Sequence, residues 1–409
     1  MASSYVEAGV PSSSEFLAHA LYSIRRSELL SELPSQDGLS TLLEQYAPGY
    51  QRARNDAVTD EIQPENASLL CCDAIASRSW RKVAHVAAVC ICSPLPDTAS
   101  VSTADLGHTV AWWQVRLLAL IKLQFFQQMR AEFNALWTVI ESLQVYGEDD
   151  ATLVSLAHTS HIPYSFHILH GQALFHSGYR REGVDAMWYA LHQARYAASH
   201  ADDSSYQIWV SRYIRTGMVL ASLLVEADEI PAVHSVLRAI QAFVDEVHYQ
   251  DPYLYLCASR LYMQMSDMKS ARNSVKKAEI SANLSDTTLA MTIRIHQALL
   301  SRFTEPHALQ MFLSDESLTD TELASQSFVN TLALEHLYTG DVMHSIQPLE
   351  TLLHRHPITF STSRALGANL LALQAIGTKD VQEEKQNVVR QLVQWAAEDP
   401  TCVDPCVRS

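Results

Sequence analysis

The stretch from Tyr253 to Ile280 reads YLYLCASRLYMQMSDMKSARNSVKKAEI, and its reading decides the fold. Tyr255, Ala258, Ser259 and Tyr262 recur at helical spacing, Ser266-Asp267-Met268 reads as a turn, and Ala271 opens a second helix carrying Val275 and Ala278. Small residues therefore fall where two antiparallel helices would cross, with large ones on either side. Helix axes only ~8–10 Å apart need that arrangement, because a bulky side chain at the closest point would hold them apart.

The arrangement recurs. Val219, Leu220 and Leu223 precede Asp228, Ala232, Val236 and Ala239. Ile295, His296 and Leu299 precede Ala308 and Phe312, and Leu332 and Ala333 precede Gly340-Asp341, Ser345, Leu349, Leu352 and Pro357. The small second-helix residues stand at 232, 271, 308 and 345, separated by 39, 37 and 37 residues. The pattern resembles the tetratricopeptide repeat (TPR), whose plain form spans ~34 residues. An earlier copy fits Gly171, Leu174, Gly178, Gly183 and Ala190, and a weaker one Trp113, Leu117, Leu120, Phe126, Phe133 and Leu136. One hairpin cannot cover its own apolar faces, but stacked neighbours can. The expected fold is all-α, a right-handed α-solenoid of TPR-like helical hairpins.

The boundaries follow from the same pattern. Residues 1–14 are Ser-rich and expected to be disordered, and 15–64 read as a short helical and loop segment with Phe16, Leu17, Leu21, Ile24, Leu29 and Leu30 near helical spacing. The solenoid is expected over 65–357, a capping helical pair over 358–399 and a tail over 400–409. In the capping pair Gly377 suits a helix C-terminus and Asp380 the next N-cap. Loops are expected at Pro94–Gly107, Gly147–Pro163 and Ala198–Ser205. No strand of period two is expected, since Val101-Ser102-Thr103 and the Val154 region are short and polar.

Composition agrees. The 409 residues are 48% apolar and 18% charged, enough to bury a sizeable core, while 12 Gly and 14 Pro are too few for a turn-rich all-β chain. The net charge of −16, from 29 basic and 45 acidic residues, argues against nucleic acid or an anionic membrane surface as the main partner. The N-terminus has neither a basic region nor an apolar core of the secretory kind. The most apolar runs, Val83–Cys92 and Met218–Val225, fall short of the ~20 residues of a membrane span. Seven cysteines, an odd number, fit a reduced cytosolic setting, with Cys71-Cys72 and Cys90-Ile91-Cys92 in helical stretches and Cys402 and Cys406 near the end.

No reaction centre is legible. Phosphate-binding glycine loops, HExxH and GxSxG are all missing from the sequence, so no catalytic residue, cofactor or metal is assigned. His167 and His170 share a helical face but read as structural among 18 histidines; His354-Arg355-His356 suits a helix C-terminus, and Glu148-Asp149-Asp150 a solvated loop. First-helix positions of the repeats define a candidate groove for a partner's helix: Met218, Leu224, Leu256, Arg260, Met263, Ile293, Asn330 and Leu334. With Arg260 its main cation, this stripe does not suit a carboxylate clamp. Trp112 and Trp113 are adjacent on one helix, so their side chains diverge by about 100° and at least one is a candidate exposed anchor.

Several segments go beyond the repeat. Ala111–Phe126 with Ala131-Glu132-Phe133, Pro163–His170 with Gly178, Ile208–Arg212, Leu261–Ala271 and Leu349–Pro357 resemble, in order, the trafficking protein particle (TRAPP) complex subunit 12 family, over roughly residues 65–397. The resemblance implies a non-catalytic scaffold subunit of a vesicle-tethering complex acting in ER-to-Golgi transport. Its implied partners are other TRAPP subunits and, indirectly, a Rab GTPase, whose nucleotide exchange in that family is carried by small core subunits. The implied location is cytoplasmic, on early Golgi and intermediate membranes, through the complex alone. Without the resemblance, the residues read as a cytosolic TPR adaptor binding a partner's peptide or helix.

Overall fold

In a computed structural model of the chain the described residues are 13–34, 44–45, 62, 66–93, 102–146, 153–156, 162–282, 286–301, 325–377 and 381–395. The expectations for residues 1–12, the 148–150 acidic run, Ala308, Phe312, Asp380, Cys402 and Cys406 lie outside them. The fold is all-α. Helix α1 (Ser13–Ile24) is followed by hairpins α2/α3 (Ala67–Ala76, Trp80–Cys92), α4/α5 (Thr103–Lys122, Phe126–Ser142) and α6/α7 (Tyr164–His176, Arg180–His200). Then come α8/α9 (Asp203–Glu226, Ile230–Glu246), α10/α11 (Pro252–Gln264, Met268–Ser281) and α12 (Thr287–Ser301). The last elements are α13/α14 (Gln326–Tyr338, Val342–Arg355), the short α15 (Pro357–Phe360), α16 (Arg364–Gly377) and α17 (Val381–Trp395).

The same three-residue connection closes each of these hairpins from α2/α3 to α13/α14. Its middle residue is left-handed: Arg78 (φ 57°), Gln124 (60°), Gly178 (96°), Asp228 (62°), Ser266 (62°) and Gly340 (88°). The next amide then donates to the carbonyl five residues back: Ser79 to Ala74, Phe125 to Leu120, Tyr179 to Leu174, Glu229 to Leu224, Asp267 to Tyr262 and Asp341 to His336, all at 2.8–3.0 Å. This hydrogen bond satisfies a carbonyl left over at the helix end and reverses the chain tightly enough for the two helices to pack. Five residues after each left-handed position the second helix carries a buried residue, Val83, Met129, Gly183, Val233, Ala271 and Ser345 in turn. The expected register at 232 is therefore one residue early: Ala232 is only half-buried, and Val233 is the fully buried residue at the equivalent position. At Gly183 the approach leaves no room for a side chain: a Cβ would lie 2.7 Å from the Gly171 carbonyl oxygen and the Phe175 nitrogen.

Aspartates start several helices. The Asp202, Asp251, Asp267 and Asp341 carboxylates accept from the amides of Ser205, Tyr253, Ser270 and His344. The bonds from Ser270 hold the Asp267 carboxyl below its ordinary range.

Two expected loops are shorter than read. Helix α4 begins at Thr103, because Asp105 accepts from the Ser102 amide (2.8 Å) and hydroxyl (2.7 Å), and α7 and α8 leave only Ala201 and Asp202 between them. The region without an expected strand holds a small antiparallel ribbon, β1 (Gln144–Tyr146) paired with β2 (Leu153–Ser155). Three residues are too few to display an alternating pattern. Burial of Leu143 and Leu156, joined by a 2.8 Å hydrogen bond from the Leu156 amide to the Leu143 carbonyl, fixes the ribbon's base.

The chain divides into two compact units. Unit 1 holds α1 to α6 and the start of α7; unit 2 holds the chain from Met187 to Ala396. In unit 1 the core gathers Leu21, Ile24, Ile91, Trp113, Leu117, Phe133 and Phe166. In unit 2 the first helices of successive hairpins touch in order, α8 to α10, α10 to α12, α12 to α13 and α13 to α16. Along Ser205–Glu226, α8 is long and apolar enough to cross a membrane, but half of that window is buried inside the fold, as in a core helix.

Candidate protein-binding surfaces

Helix α4 is the centre of unit 1, packed by α3, α1, α5 and α6. That environment corrects the reading of its tryptophans as exposed anchors. Trp113 is fully buried and its Nε1–H donates to the Ile24 carbonyl at 2.8 Å; Trp112 is buried beside His108, whose Nε2 accepts from its Nε1–H at 3.3 Å. Adjacent side chains do diverge around the helix, but α4 has neighbours in each direction. Three residues further on, Arg116 forms a buried ion pair with Glu132 of α5. Its Nε donates to Glu132 Oε2 at 2.7 Å and its Nη2 to Oε1 at 2.6 Å, while Nη1 reaches the Ala84 carbonyl of α3 at 3.0 Å. The pair also holds residue 31: the Ser31 amide donates to Glu132 Oε1 at 2.9 Å, and the Ser31 carbonyl accepts from Arg116 Nη2 at 2.8 Å. The sequence reading passed over this pair. Its signal was a single cation within the apolar run Trp112–Ile121, since a buried charge requires a partner.

His167 and His170 lie beside an aromatic cluster of unit 1. His170 stacks on Phe133 (centroids 4.9 Å apart, 9° between planes) and lies 4.7 Å from Trp137, which His167 meets edge-on. Burial, with a smaller contribution from His167, pushes the His170 pKa down to about 4. Among the described residues no three His, Cys, Asp or Glu side chains are grouped to hold a metal ion. Cys71 and Cys90 are buried and Cys72, Cys92 and Cys257 exposed; burial raises the Cys90 thiol to about 11, which disfavours the reactive thiolate.

In unit 2 a groove of about 520 Å³ runs between α8 and α10, lined by Met218, Val219, Ser222, Val225, Glu226, Cys257, Arg260, Leu261 and Gln264. Of the eight groove positions read from the sequence it contains Met218 and Arg260. Leu224, Leu256 and Ile293 are buried instead, at 3–4% exposure. The helical stripe there turns into the contact between neighbouring helices, which removes these three as partner contacts. Met263 and Leu334 are half-buried, and Asn330 accepts from the Asn369 side-chain amide of α16 at 2.7 Å. At the groove's edge Arg260 Nε donates to His296 Nε2 at 3.2 Å. His296 is buried and bonded through Nδ1 to the Thr292 carbonyl (2.7 Å), so Nδ1 carries the proton and Nε2 accepts. Burial, and then Arg260, keep its pKa low. A second cavity of about 500 Å³ lies between α13 and α14, lined by Val329, Leu332, Gln347, Pro348, Thr351, Leu352, Arg355 and His356.

No protein-family profile matches the chain. It aligns with trafficking protein particle complex subunit 12 of Mus musculus at 24% identity over 349 residues, 77% of this chain and 41% of that protein. The Homo sapiens subunit 12 aligns at 23% identity over 346 residues, 76% of this chain and 44% of that protein. The chain is similar to TRAPP subunit 12 along most of its length. It spans less than half the length of the subunit 12 proteins it matches. The TRAPP resemblance read from ordered helical segments is thus met by similarity over three quarters of the chain.

Proposed function

We propose that the chain is a scaffold subunit of a TRAPP-type vesicle-tethering assembly, presenting helical faces to other subunits and supplying no reaction centre. The carrying observation is the similarity to subunit 12 over 77% of the chain. A fold of stacked helical hairpins supports it, because such folds expose long surfaces without enclosing a substrate. In this reading the chain is cytoplasmic and reaches early secretory membranes only through its partners, and any effect on a Rab GTPase passes through the assembled complex. Purifying the tagged chain from cells tests it: other TRAPP subunits are expected in near-equal amounts, and their absence overturns the reading.

The α8–α10 groove, whose apolar residues are Met218, Val219, Val225 and Leu261, fits a partner's helix whether that partner is a TRAPP subunit or not, and the second reading is an adaptor outside TRAPP. The same purification separates the two, since that adaptor would recover its helical partner without TRAPP subunits.

A further inference from the structure

Residues 25–34 cross unit 1 outside the hairpins, and the body of the unit grips them by the main chain. Trp113 holds the Ile24 carbonyl just before the segment, and Arg116 and Glu132 hold both polar main-chain atoms of Ser31. The guanidinium of Arg81 donates to the Pro34 carbonyl at 2.6 Å. Ser27–Leu29 make a single 3-10 turn, in which the Leu29 and Leu30 amides donate to the Arg26 and Ser27 carbonyls, and the chain extends from Leu30 (φ −94°, ψ 132°); Leu29, Leu30 and Leu33 rest half-buried on the apolar core. At the upstream end Arg25 donates to Ser93 Oγ at 3.1 Å. Specificity is divided as in strand-addition recognition: the main chain supplies polar bonds that any residue can make, and a few apolar side chains supply selectivity. The reading group is unusual, because a charged pair 3% and 0% exposed at its side chains does the work an adjacent strand would do.

We propose that unit 1 carries a binding site for a peptide of the pattern Leu-Leu-x-x-Leu that enters as one 3-10 turn and continues extended, and that residues 25–34 are its tethered resident. The chain thereby closes the site to weak ligands and yields it to a partner segment of the same pattern. A ligand tethered nearby acts at an effective concentration of the order of millimolar, so only a partner of high affinity or high local concentration displaces it. The inference does not depend on the TRAPP reading, since it rests on unit 1 geometry alone.

The test uses the full-length chain and a labelled synthetic peptide of residues Arg25 to Pro34. In a chain carrying Leu29→Ser, Leu30→Ser and Leu33→Ser the resident is weakened, and the peptide is expected to bind at least ten-fold more tightly than to the unaltered chain. Adding Arg116→Met together with Glu132→Leu to that variant, which takes away the polar grip on Ser31 without stranding a buried charge, is expected to remove the binding while circular dichroism stays helical. A helical released variant that takes up no more peptide than the unaltered chain overturns the proposal. Hydrogen exchange on the unaltered chain provides a measurement that needs no variant. The amides of residues 26–33 are expected to exchange well ahead of α4 and α5; exchange together with those helices, in one step, also overturns it.

Discussion

Glu132 commits both carboxylate oxygens to Arg116 and one of them also to the Ser31 amide, with no surface left for water. Removing one member of a buried ion pair strands the other, at a cost of about 3–5 kcal/mol. Glu132→Ala is therefore expected to lower the urea midpoint of the unit 1 transition by that equivalent. Glu132→Leu combined with Arg116→Met is expected to recover most of the loss, because no stranded charge remains. Equal losses in the single and double variants would refute the assignment. His170 gives a second prediction. Its folded pKa of about 4 lies below its ordinary value of 6.5, so the unfolded chain takes up the proton first. Stability is present above pH ~6.5 and is lost between pH ~6.5 and ~4, with buried His296 acting in the same direction. His170→Phe keeps the stacking on Phe133 and Trp137, and is expected to flatten the unit 1 stability curve across that interval, as read by thermal melts. Neither feature was legible in the sequence as a pair. Arg116 and Glu132 stand 16 residues apart on two helices, and one helix's periodicity says nothing about what faces it from another. The tryptophans were misread for the same reason: α4 is surrounded, which only its neighbours reveal.

At the scale of the element, the hairpin turn is the repeating object. Its left-handed residue is glycine at 178 and 340 but Arg78, Gln124, Asp228 and Ser266 elsewhere. An L-residue there carries about 1–2 kcal/mol of backbone strain, partly offset because glycine frees the unfolded chain. Gly340→Ala, with open space around its Cβ, is expected to cost about 1 kcal/mol through conformation alone. Ser266→Gly is expected to leave unit 2 unchanged or up to about 1 kcal/mol more stable. Gly183→Ala differs in kind, since its Cβ meets backbone atoms at 2.7 Å and the two helices must part; a loss of about 3 kcal/mol or more is expected from denaturant titration. An unchanged midpoint in Gly183→Ala would mean that α6 and α7 do not cross there. Most of these turns were readable as turns, because Gly178, Asp228, Ser266-Asp267 and Gly340-Asp341 interrupt apolar periods. What the sequence concealed was their common conformation, since four different side chains occupy one backbone position. The register slip at Ala232 has a similar origin: Ala232 and Val233 are both acceptable on an apolar face, and only the turn geometry counts residues from a fixed point.

At the scale of the whole molecule, the net charge of −16 and the apolar groove of unit 2 lead to opposite expectations for partner binding. If the acidic surface supplied the attraction, capture of partner subunits would weaken steeply with salt, since exposed charges are largely screened beyond ~10 Å at 0.1 M and ~3 Å at 1 M. If α8 and α10 supply it, desolvation of Met218, Val219, Val225 and Leu261 does most of the work, and salt matters little. The groove is the better candidate because both of its helices contribute apolar residues to it, and Arg260, its one cation, already engages His296. On the proposed scaffold reading, capture of TRAPP subunits by the tagged chain is thus expected to stay within about two-fold between 0.15 and 0.5 M NaCl. It is expected to fall at least ten-fold in a Met218→Asp, Val225→Asp variant, a change of about 1.4 kcal/mol or more. Both side chains are half-buried at the groove rather than inside the core, so circular dichroism should show an unchanged helical fold. A salt-sensitive capture that ignores the two aspartates would move the interface off the groove and onto the acidic surface.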